Sequence, residues 1–180
     1  MNLSVRECKE NDIQKIVDYF HHSDEGYLRG MGVEVSKLPS REDWINTLKK
    51  ELAKPYKEKE LYYVIWLMDN EPVGHSNVNF INFGKVANMH LHVWDVQKRQ
   101  KGMGVTFLQQ TIPMYFEKFQ LKKLLCEPFG QNIPPNKTLQ KFGFSFLGKE
   151  EKVSGPINFL QEVSKYELSL EKLNVLKRNF

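Results

Sequence analysis

The apolar positions along this chain follow two different spacings. Apolar residues three or four apart predict amphipathic helices, whereas alternation or short apolar runs between turn residues predict strands. Helical spacing is found at 13–20, 44–52, 105–119 and 139–142, and strand patterns are found at 3–7, 61–68, 73–83, 87–94, 121–127, 144–147 and 159–170. The predicted order is therefore β-α-α-β-β-β-α-β-α-β-β, with loop or broken helix over 21–39.

Cap and turn residues mark the ends of several predicted elements. Ser40 is a typical helix N-cap, Pro134-Pro135 favours the first turn of a helix, and Gly143 favours its end. Pro113 lies inside a helical pattern, where it removes a hydrogen bond, so we expect a kink or an early stop there. The tail from Glu171 is expected to be helical or frayed.

The composition is that of an ordinary globular chain. Its 180 residues are 41% hydrophobic and contain no low-complexity tract or internal repeat, which predicts a single domain over 1–180. The formal net charge is +4, but the 26 lysines and arginines are scattered among 22 acidic residues. We therefore expect no nucleic-acid partner.

The cysteine content and the length of the apolar runs favour a cytoplasmic protein. Cys8 and Cys126 are the only cysteines, too few for a disulfide framework and not in a C-x-x-C spacing. Charged residues near the start argue against a signal peptide, and the apolar run Leu61–Met68 is far shorter than the roughly 20 residues of a membrane span. We expect a cytoplasmic protein with no membrane contact, either a monomer or a homodimer.

A glycine turn separates the strand pattern at 87–94 from the helical pattern that follows. Its residues, Arg99-Gln100-Lys101-Gly102-Met103-Gly104, lack the third glycine of a dinucleotide fingerprint and the Gly-Lys-Ser/Thr ending of a P-loop. Glycines remove Cβ atoms that would keep a phosphate from the backbone, and the next helix offers unpaired N–H groups and a positive dipole end. An anion is expected to bind here; the alternative is an ordinary loop that starts a helix.

Two motifs and the order of elements resemble the GNAT acetyltransferase superfamily. The R-x-x-G-x-G motif at 99–104 is similar to the family's acetyl-CoA pyrophosphate loop, and Asn132 followed by Leu139-Gln140-Lys141-Phe142-Gly143-Phe144 is similar to its closing N…LxKxGF helix. The resemblance implies an α/β (α+β) fold: a mixed, mostly antiparallel sheet of about seven strands, splayed between strands 4 and 5 and flanked by about four helices. It also implies direct acetyl transfer from acetyl-CoA to a primary amine, without a metal.

The resemblance further implies which residues bind the co-substrate. Backbone N–H groups of the glycine turn would hold the pyrophosphate, and basic side chains nearby would supply charge to the phosphates. Asn132 would bond the pantetheine arm, unless it only forms a turn. The implied cofactor-binding residues are Trp94, Val96, Arg99, Gln100, Lys101, Gly102, Met103, Gly104, Asn132, Asn136 and Lys137, with Lys98 as a further source of charge.

Two histidines and one glutamate are the candidate catalytic residues. His90 and His92 stand two residues apart on one predicted strand, so their imidazoles share a face. This H-x-H is similar to an arrangement in arylalkylamine N-acetyltransferases, and by spacing His90 is the better match. Glu127 stands where ribosomal-protein alanine acetyltransferases carry a catalytic glutamate. Each could take a proton from the amine; alternatively, the histidines are bonded within the core and the glutamate caps a turn.

The chain departs from the family at the position of the usual acid. Leu139 occupies the tyrosine position, and Pro135 occupies the position of a serine found in some relatives. The remaining proton donors are Asn136, Thr138, a histidine or water.

Tyr27, Trp66 and His75 are the predicted substrate-binding residues. Tyr27, Trp66 and Trp94 would shape an apolar slot, and His75 would border the acceptor pocket unless it is a core histidine. The leading hypothesis is a small-molecule amine acetyltransferase; the alternatives are an acetyltransferase of protein N-termini or lysines and a non-enzymatic acyl-CoA-binding or sensing domain. A closed aromatic pocket would favour the first, an open groove the second, and blocked access between His90 and Glu127 the third.

Overall fold

One seven-stranded sheet forms the centre of the computed structural model, which describes residues 1–95, 97 and 102–180. The strands are β1 (Leu3–Glu7), β2 (Leu61–Met68), β3 (Glu71–Asn82), β4 (Val86–Val93), β5 (Lys123–Cys126), β6 (Ser145–Lys152) and β7 (Gln161–Ser169). The α-helices are α1 (Glu10–His22), α2 (Glu25–Gly30), α3 (Arg41–Ala53), α4 (Met103–Phe119), α5 (Ile133–Phe142) and α6 (Leu170–Leu176), with short 3-10 turns at Val35–Lys37, Tyr56–Glu58 and Lys177–Asn179. The predicted α+β fold class is confirmed.

The sheet opens between its two central strands. Its strand order is β1-β2-β3-β4-β5-β7-β6, and each neighbouring pair is antiparallel except β4 and β5. The parallel pairing of β4 with β5 covers only Val86 to Asn88. From Met89 to Val93, β4 therefore has no described partner on that side, which confirms the predicted splay between strands 4 and 5.

Alternation along β2 divides the apolar core between the two faces of the sheet. Val64 and Trp66 pack with side chains of α4 and α5 on one face. Tyr63 and Ile65 pack with side chains of α1 and α3 on the other. Because both faces of the sheet are covered, the sequence of β2 is a continuous apolar run rather than an alternating one. The observed bounds of β2 are those predicted.

Local signals set most helix ends, but packing overrides one of them. Ser40 caps α3 by accepting from the Asp43 N–H, and Gly143 ends α5 with a positive φ of 115°. Helix α4 runs on to Phe119 with Pro113 inside it, so the predicted early stop is wrong. Residues on both sides of the proline, among them Phe107 and Tyr115, are fully buried, and this burial outweighs the lost hydrogen bond.

Two elements extend beyond the sequence prediction. Strand β6 continues to Lys152 through a charged stretch, because it is an edge strand with few buried positions. Helix α2 forms within the stretch expected to be loop or broken helix, and Asp24 caps it by accepting from the Tyr27 N–H. The tail after β7 is helical, as predicted. None of the described helices has the length and apolar content needed to cross a membrane.

A partly buried ion pair fixes the start of α1 to β1. Both carboxylate oxygens of Asp12 accept hydrogen bonds from the Arg6 guanidinium, at 2.6 and 2.8 Å, and Oδ2 also accepts from the Lys9 N–H at 2.8 Å. Asp12 is only 2% exposed. Burial by itself raises the pKa of Asp12, but the hydrogen bonds from Arg6 and Lys9 outweigh it and hold that pKa below its ordinary value.

Asp12→Asn is expected to lower the free energy of unfolding by about 2 kcal/mol at pH 7, because the guanidinium of Arg6 loses its counter-charge. Because the pKa of Asp12 is lower in the folded protein than in the unfolded chain, the ion pair stabilises the fold fully at pH values above the unfolded pKa of about 3.9. The stabilisation is lost as the pH falls through the pKa of Asp12 in the folded protein. Urea denaturation at pH 7 and near pH 3 measures the difference. Asp18→Asn is the control, since its ion pair with Arg41 is partly exposed and is worth less than about 1 kcal/mol. If Asp12→Asn lowers the free energy of unfolding by the same amount at both pH values, the lowered pKa of Asp12 is contradicted.

Candidate active site

The open end of β4 presents backbone hydrogen-bonding groups to the gap. The Trp94 N–H donates to the Val73 carbonyl of β3 at 2.9 Å. Successive residues of a strand direct their N–H and C=O groups to opposite sides, so those of Leu91 and Val93 point away from β3, toward the side that β5 has left. A ligand lying in the gap could therefore continue the ladder on β4.

Helix α4 starts beside this gap with the two glycines of the sequence motif. Gly102 is the N-cap, with a φ of 89°, and among the described residues, apart from its chain neighbours, no atom lies within 4 Å of the place where its Cβ would be. At Gly104 a Cβ would lie 3.0 Å from Cγ2 of Thr138 on α5. Gly102 is thus required by backbone conformation and leaves open space. Gly104, predicted to make room for phosphate, also allows α5 to pack closely against α4.

Five residues of the predicted cofactor site, Val96, Lys98, Arg99, Gln100 and Lys101, lie outside the described residues. Their roles remain predictions.

A cavity of about 340 Å³, which we call the gap cavity, lies between the end of β4 and the starts of α4 and α5. The predicted cofactor residues Met103, Gly104 and Asn132 line it together with Leu91 and Val93. Side chains of α1 and α2 close its other side. The structure therefore brings the described part of the glycine motif and the asparagine of the second motif to one cavity.

A second cavity of about 320 Å³, which we call the side cavity, lies on the face of the sheet that packs against α1 and α3. Its walls carry aromatic rings, among them those of Phe20, Trp44, Tyr63 and Phe129. Polar side chains of β3 and β4 form its floor. It is therefore mainly apolar, with a few polar groups concentrated on the sheet.

The connection between β6 and β7 forms a roof over the side cavity. The Glu34 N–H donates to the Ile157 carbonyl at 2.8 Å. The Gly32 carbonyl accepts from Asn158 Nδ2 at 2.8 Å and from Gln161 Nε2 at 3.1 Å. These bonds tie the connection to the segment after α2, so that two loops close one side of the cavity together.

The two cavities meet at His92. Among the described residues, five line both of them: Met31, Leu91, His92, Asn132 and Pro135. Within this described set, the titratable side chain is that of His92. Its ring also contacts the rings of Tyr19 and Phe20, with centroids 5.6 and 5.2 Å away, so the imidazole is held in place by α1.

His75 and Trp94 form a hydrogen-bonded pair next to His92. The indole N–H of Trp94 donates to Nδ1 of His75 at 2.8 Å, and the His75 and His92 rings are 4.9 Å apart. Burial, with a smaller effect of His92 and His90, holds the pKa of His75 well below its ordinary value. His75 is fully buried and lines neither cavity, so its position is that of a core histidine that anchors Trp94.

His90 lies on the same face as His92 but is set back from the gap. It lines the side cavity only, and its Nε2 is 3.1 Å from Oδ1 of Asn79. Burial lowers the pKa of His90 to about 4, so the ring is neutral at physiological pH. The prediction that the two histidines share a face is confirmed by the register, which pairs His75 with His92 and Asn77 with His90.

Glu127 follows the last residue of β5 and also lines the side cavity. Lys152 Nζ lies 3.1 Å from its Oε1 and 2.9 Å from its Oε2. The glutamate side chain is 10% exposed. Its carboxylate is therefore paired with a partner that the sequence places 25 residues away.

The first turns of α5 use their polar side chains internally. Asn136 Nδ2 donates to the carbonyls of Phe129 and Asn132, at 3.0 and 2.8 Å, and its Oδ1 accepts from the Tyr166 hydroxyl at 3.0 Å. These bonds fix α5 to the sheet, and the cofactor contact of Asn136 remains a prediction. Lys137 is exposed on α5.

Tyr27 and Trp66 occupy different environments. Tyr27 lines the gap cavity, and its hydroxyl is 3.1 Å from that of Tyr19. Trp66 borders the same cavity, but it is fully buried: its ring stacks on Phe107 at 4.8 Å and its N–H donates to Thr111. Trp66 is therefore a core residue on the sheet face opposite His75 and His92.

Comparison with known proteins gives matches at the level of structure. Neither a protein-family model nor a curated protein sequence matches the chain. RimL, a ribosomal protein alpha-N-acetyltransferase in complex with coenzyme A, is 14% identical, with a TM-score of 0.77 over 96% of each chain. Ribosomal-protein-S5-alanine acetyltransferase from Vibrio fischeri is 17% identical, with a TM-score of 0.75 over 94% of this chain and 93% of its own. The chain has the GNAT acetyltransferase fold.

A small-molecule enzyme has the same GNAT fold. Spermidine N-acetyltransferase from Vibrio cholerae, in complex with coenzyme A and spermine, is 14% identical, with a TM-score of 0.75 over 96% of this chain and 98% of its own. Identities this low extend the likeness to the fold and not to the choice of substrate. Among the described residues of this GNAT fold, no group of three or more His, Cys, Asp or Glu side chains is placed to hold a metal ion.

Sequence reasoning missed several polar residues of the side cavity, among them Asn77 and Gln161. Asn77 lies in the middle of β3, and Gln161 is the first residue of β7; both are more than nine-tenths buried. A signal was present for Asn77, because His75, Asn77 and Asn79 put polar side chains on one face of a central strand. Gln161 carries no such local signal, since its position depends on the roof.

Proposed function

We propose that this protein is an acetyl-CoA-dependent N-acetyltransferase that transfers an acetyl group directly to the primary amine of a small molecule. The observation that carries the proposal is the meeting of two cavities at His92, in the gap where β4 and β5 separate. A thioester in the gap cavity and an amine in the side cavity would meet at this residue, and holding both reactants together supplies much of the rate enhancement. The coenzyme A bound by RimL and by the spermidine enzyme supports this reading.

The co-substrate would be held mainly by backbone groups. In the proposed pose, the pantetheine arm bonds to the N–H and C=O groups of Leu91 and Val93, which the splay leaves open. The pyrophosphate lies at the start of α4, where the dipole and the free N–H groups of the first turn favour an anion. Asn132, which lines both cavities, borders the thioester end.

His92 is the proposed general base. It takes a proton from the ammonium of the acceptor, directly or through water, and the free amine attacks the thioester carbonyl carbon. The C–N bond forms and the C–S bond breaks. The imidazolium returns its proton to the thiolate, and the second amine proton is released to solvent. This route needs no separate acid, which suits a chain with Leu139 and Pro135 at the family's acid positions.

The other two candidates are less well placed for this role. The low pKa of His90 makes it a weak base, and His90 does not border the gap cavity. The carboxylate of Glu127 is paired with Lys152, so taking up a proton would cost it that ion pair. Both residues nevertheless line one continuous cavity, which supports an enzyme rather than a domain with blocked access.

The enclosure of the side cavity supports a small acceptor rather than a protein. An extended peptide entering the side cavity would have to displace residues 154–158, whose backbone and side chains bond to Gly32 and Glu34. A compact amine fits the cavity volume of about 320 Å³ without breaking these bonds.

Calorimetric titration with acetyl-CoA tests the proposal first. We expect micromolar binding that weakens with dephospho-CoA, because the lost 3′-phosphate removes charge-assisted contacts. Release of free thiol on adding primary amines then tests transfer, with peptides of defined N-terminus as the competing substrate class. Absence of acetyl-CoA binding would overturn the proposal, and turnover of peptides but of no small amine would overturn the choice of acceptor.

A further inference from the structure

A row of three side chains crosses the floor of the side cavity. Tyr63 of β2, Asn77 of β3 and His90 of β4 are directly opposite one another in the register, so their side chains point to the same face. All three line the side cavity. They place one amide and one imidazole side by side below the proposed acceptor.

The Asn77 side chain is mostly buried, but its amide is not used by the fold. Asn77 is only 7% exposed, and among the described residues no hydrogen bond is found from its side chain. Because Asn77 lines the side cavity, its amide is available to a ligand there.

His90 presents the complementary atom. Its Nε2 faces Oδ1 of Asn79 at 3.1 Å. With the asparagine oriented in this way, the oxygen can only accept, so Nε2 carries the proton of the neutral ring and Nδ1 is left as an acceptor. Next to it, the Asn77 amide can both donate and accept.

The charges around the side cavity argue against a second cationic group on the ligand. Among its described lining residues, the one carboxylate is that of Glu127, and Lys152 binds both of its oxygens. The remaining walls are largely apolar, with the rings of Phe20 and Trp44 4.9 Å apart. A polycation would therefore find no unpaired anion in this part of the cavity.

We propose that Asn77 and His90 together bind an uncharged hydroxyl or carboxamide group of the acceptor. This rests on the proposed function and narrows it: the acceptors are compact primary amines with an apolar, aromatic-sized body and one neutral polar group. A hydroxyl satisfies both residues at once, since it donates to Nδ1 of His90 and accepts from the Asn77 amide.

The test uses primary amines in matched pairs that differ by one hydroxyl or carboxamide, such as tyramine and 2-phenylethylamine, with spermidine as the polycation. Thiol release gives kcat/KM for each amine. We expect the polar member of the best pair to exceed its apolar partner by at least about 10-fold, and spermidine to be the poorest acceptor. If apolar members or spermidine lead, the proposal is wrong.

Asn77→Leu removes the amide and keeps the branching at Cγ. It is expected to lower kcat/KM for the best polar amine by about 10-fold, mainly through KM, and to leave its apolar partner within about 3-fold. Asn82→Leu is the control, since Asn82 is an exposed residue at the end of the same strand. Asn77→Ser retains a hydroxyl, so its kcat/KM for the polar amine should lie between that of Asn77→Leu and that of the parent protein. It also provides a second variant if Asn77→Leu does not fold. Equal losses for both members of a pair would overturn the proposal.

Failure of the inference can be distinguished from failure of the proposed function. Binding of acetyl-CoA is measured separately and does not involve Asn77. If the protein acetylates amines but prefers the apolar members of the pairs or spermidine, the inference is overturned and the proposed function stands. If acetyl-CoA binds but no amine is turned over or binds in calorimetry, the acceptor part of the function and the inference both fall.

Discussion

Gly102→Val is expected to raise the Kd of acetyl-CoA by about 100-fold or more. Gly102 caps α4 with a φ of 89°, a conformation that a β-branched residue adopts only with strain. Valine there either shifts the backbone, which redirects the first N–H groups of α4, or places its methyl groups in the open space where the phosphates are proposed to lie. Calorimetric titration with acetyl-CoA measures the change.

Gly84→Val is a matched control for backbone strain. Gly84 also has a positive φ, 77°, and open space around its Cβ position, but it lies in the turn between β3 and β4. Both variants should unfold at lower temperature than the parent, whereas only Gly102→Val should lose affinity. If Gly102→Val binds acetyl-CoA with unchanged affinity, the phosphate site at the start of α4 does not exist.

His92→Ala is expected to lower kcat by about 100-fold or more and to change the Kd of acetyl-CoA little, as for the loss of a general base. Steady-state kinetics, with titration of acetyl-CoA into both proteins, measures the two effects separately.

Two further variants show whether His92 acts in this role. His22→Ala removes an exposed histidine at the end of α1 and should leave kcat unchanged. Glu127→Gln should have a smaller effect than His92→Ala, because the carboxylate is already paired with Lys152. A larger loss in Glu127→Gln than in His92→Ala would assign the base to the carboxylate instead.

The fold could be predicted wherever a short stretch of sequence carries the whole signal. The bounds of β1 and β2 are those predicted, Ser40 caps α3, and Pro134-Pro135 and Gly143 enclose α5. These features depend on residues a few positions apart. The predictions that fell short concern longer-range effects: α4 passes Pro113 because it is buried, and β6 is extended by pairing with β7.

The candidate site could be predicted only in outline. Alternation by itself places His90 and His92 on one face, but only the packing of α1 and the splay put His92, and not His90, at the junction of the cavities. Gly104 shows the same limit, because its motif indicates phosphate while its nearest contact is Thr138 of α5.

The sequence by itself determined the order of the elements, their caps and which side chains share a face of a strand, because these depend on backbone periods of two and 3.6 residues. Only the tertiary structure decided which polar groups are already satisfied. Glu127 is paired with Lys152, Asn136 with Tyr166 and His75 with Trp94, across 25, 30 and 19 residues. Such partners are set by where the sheet and helices pack, and the same packing places His92 where the two cavities meet.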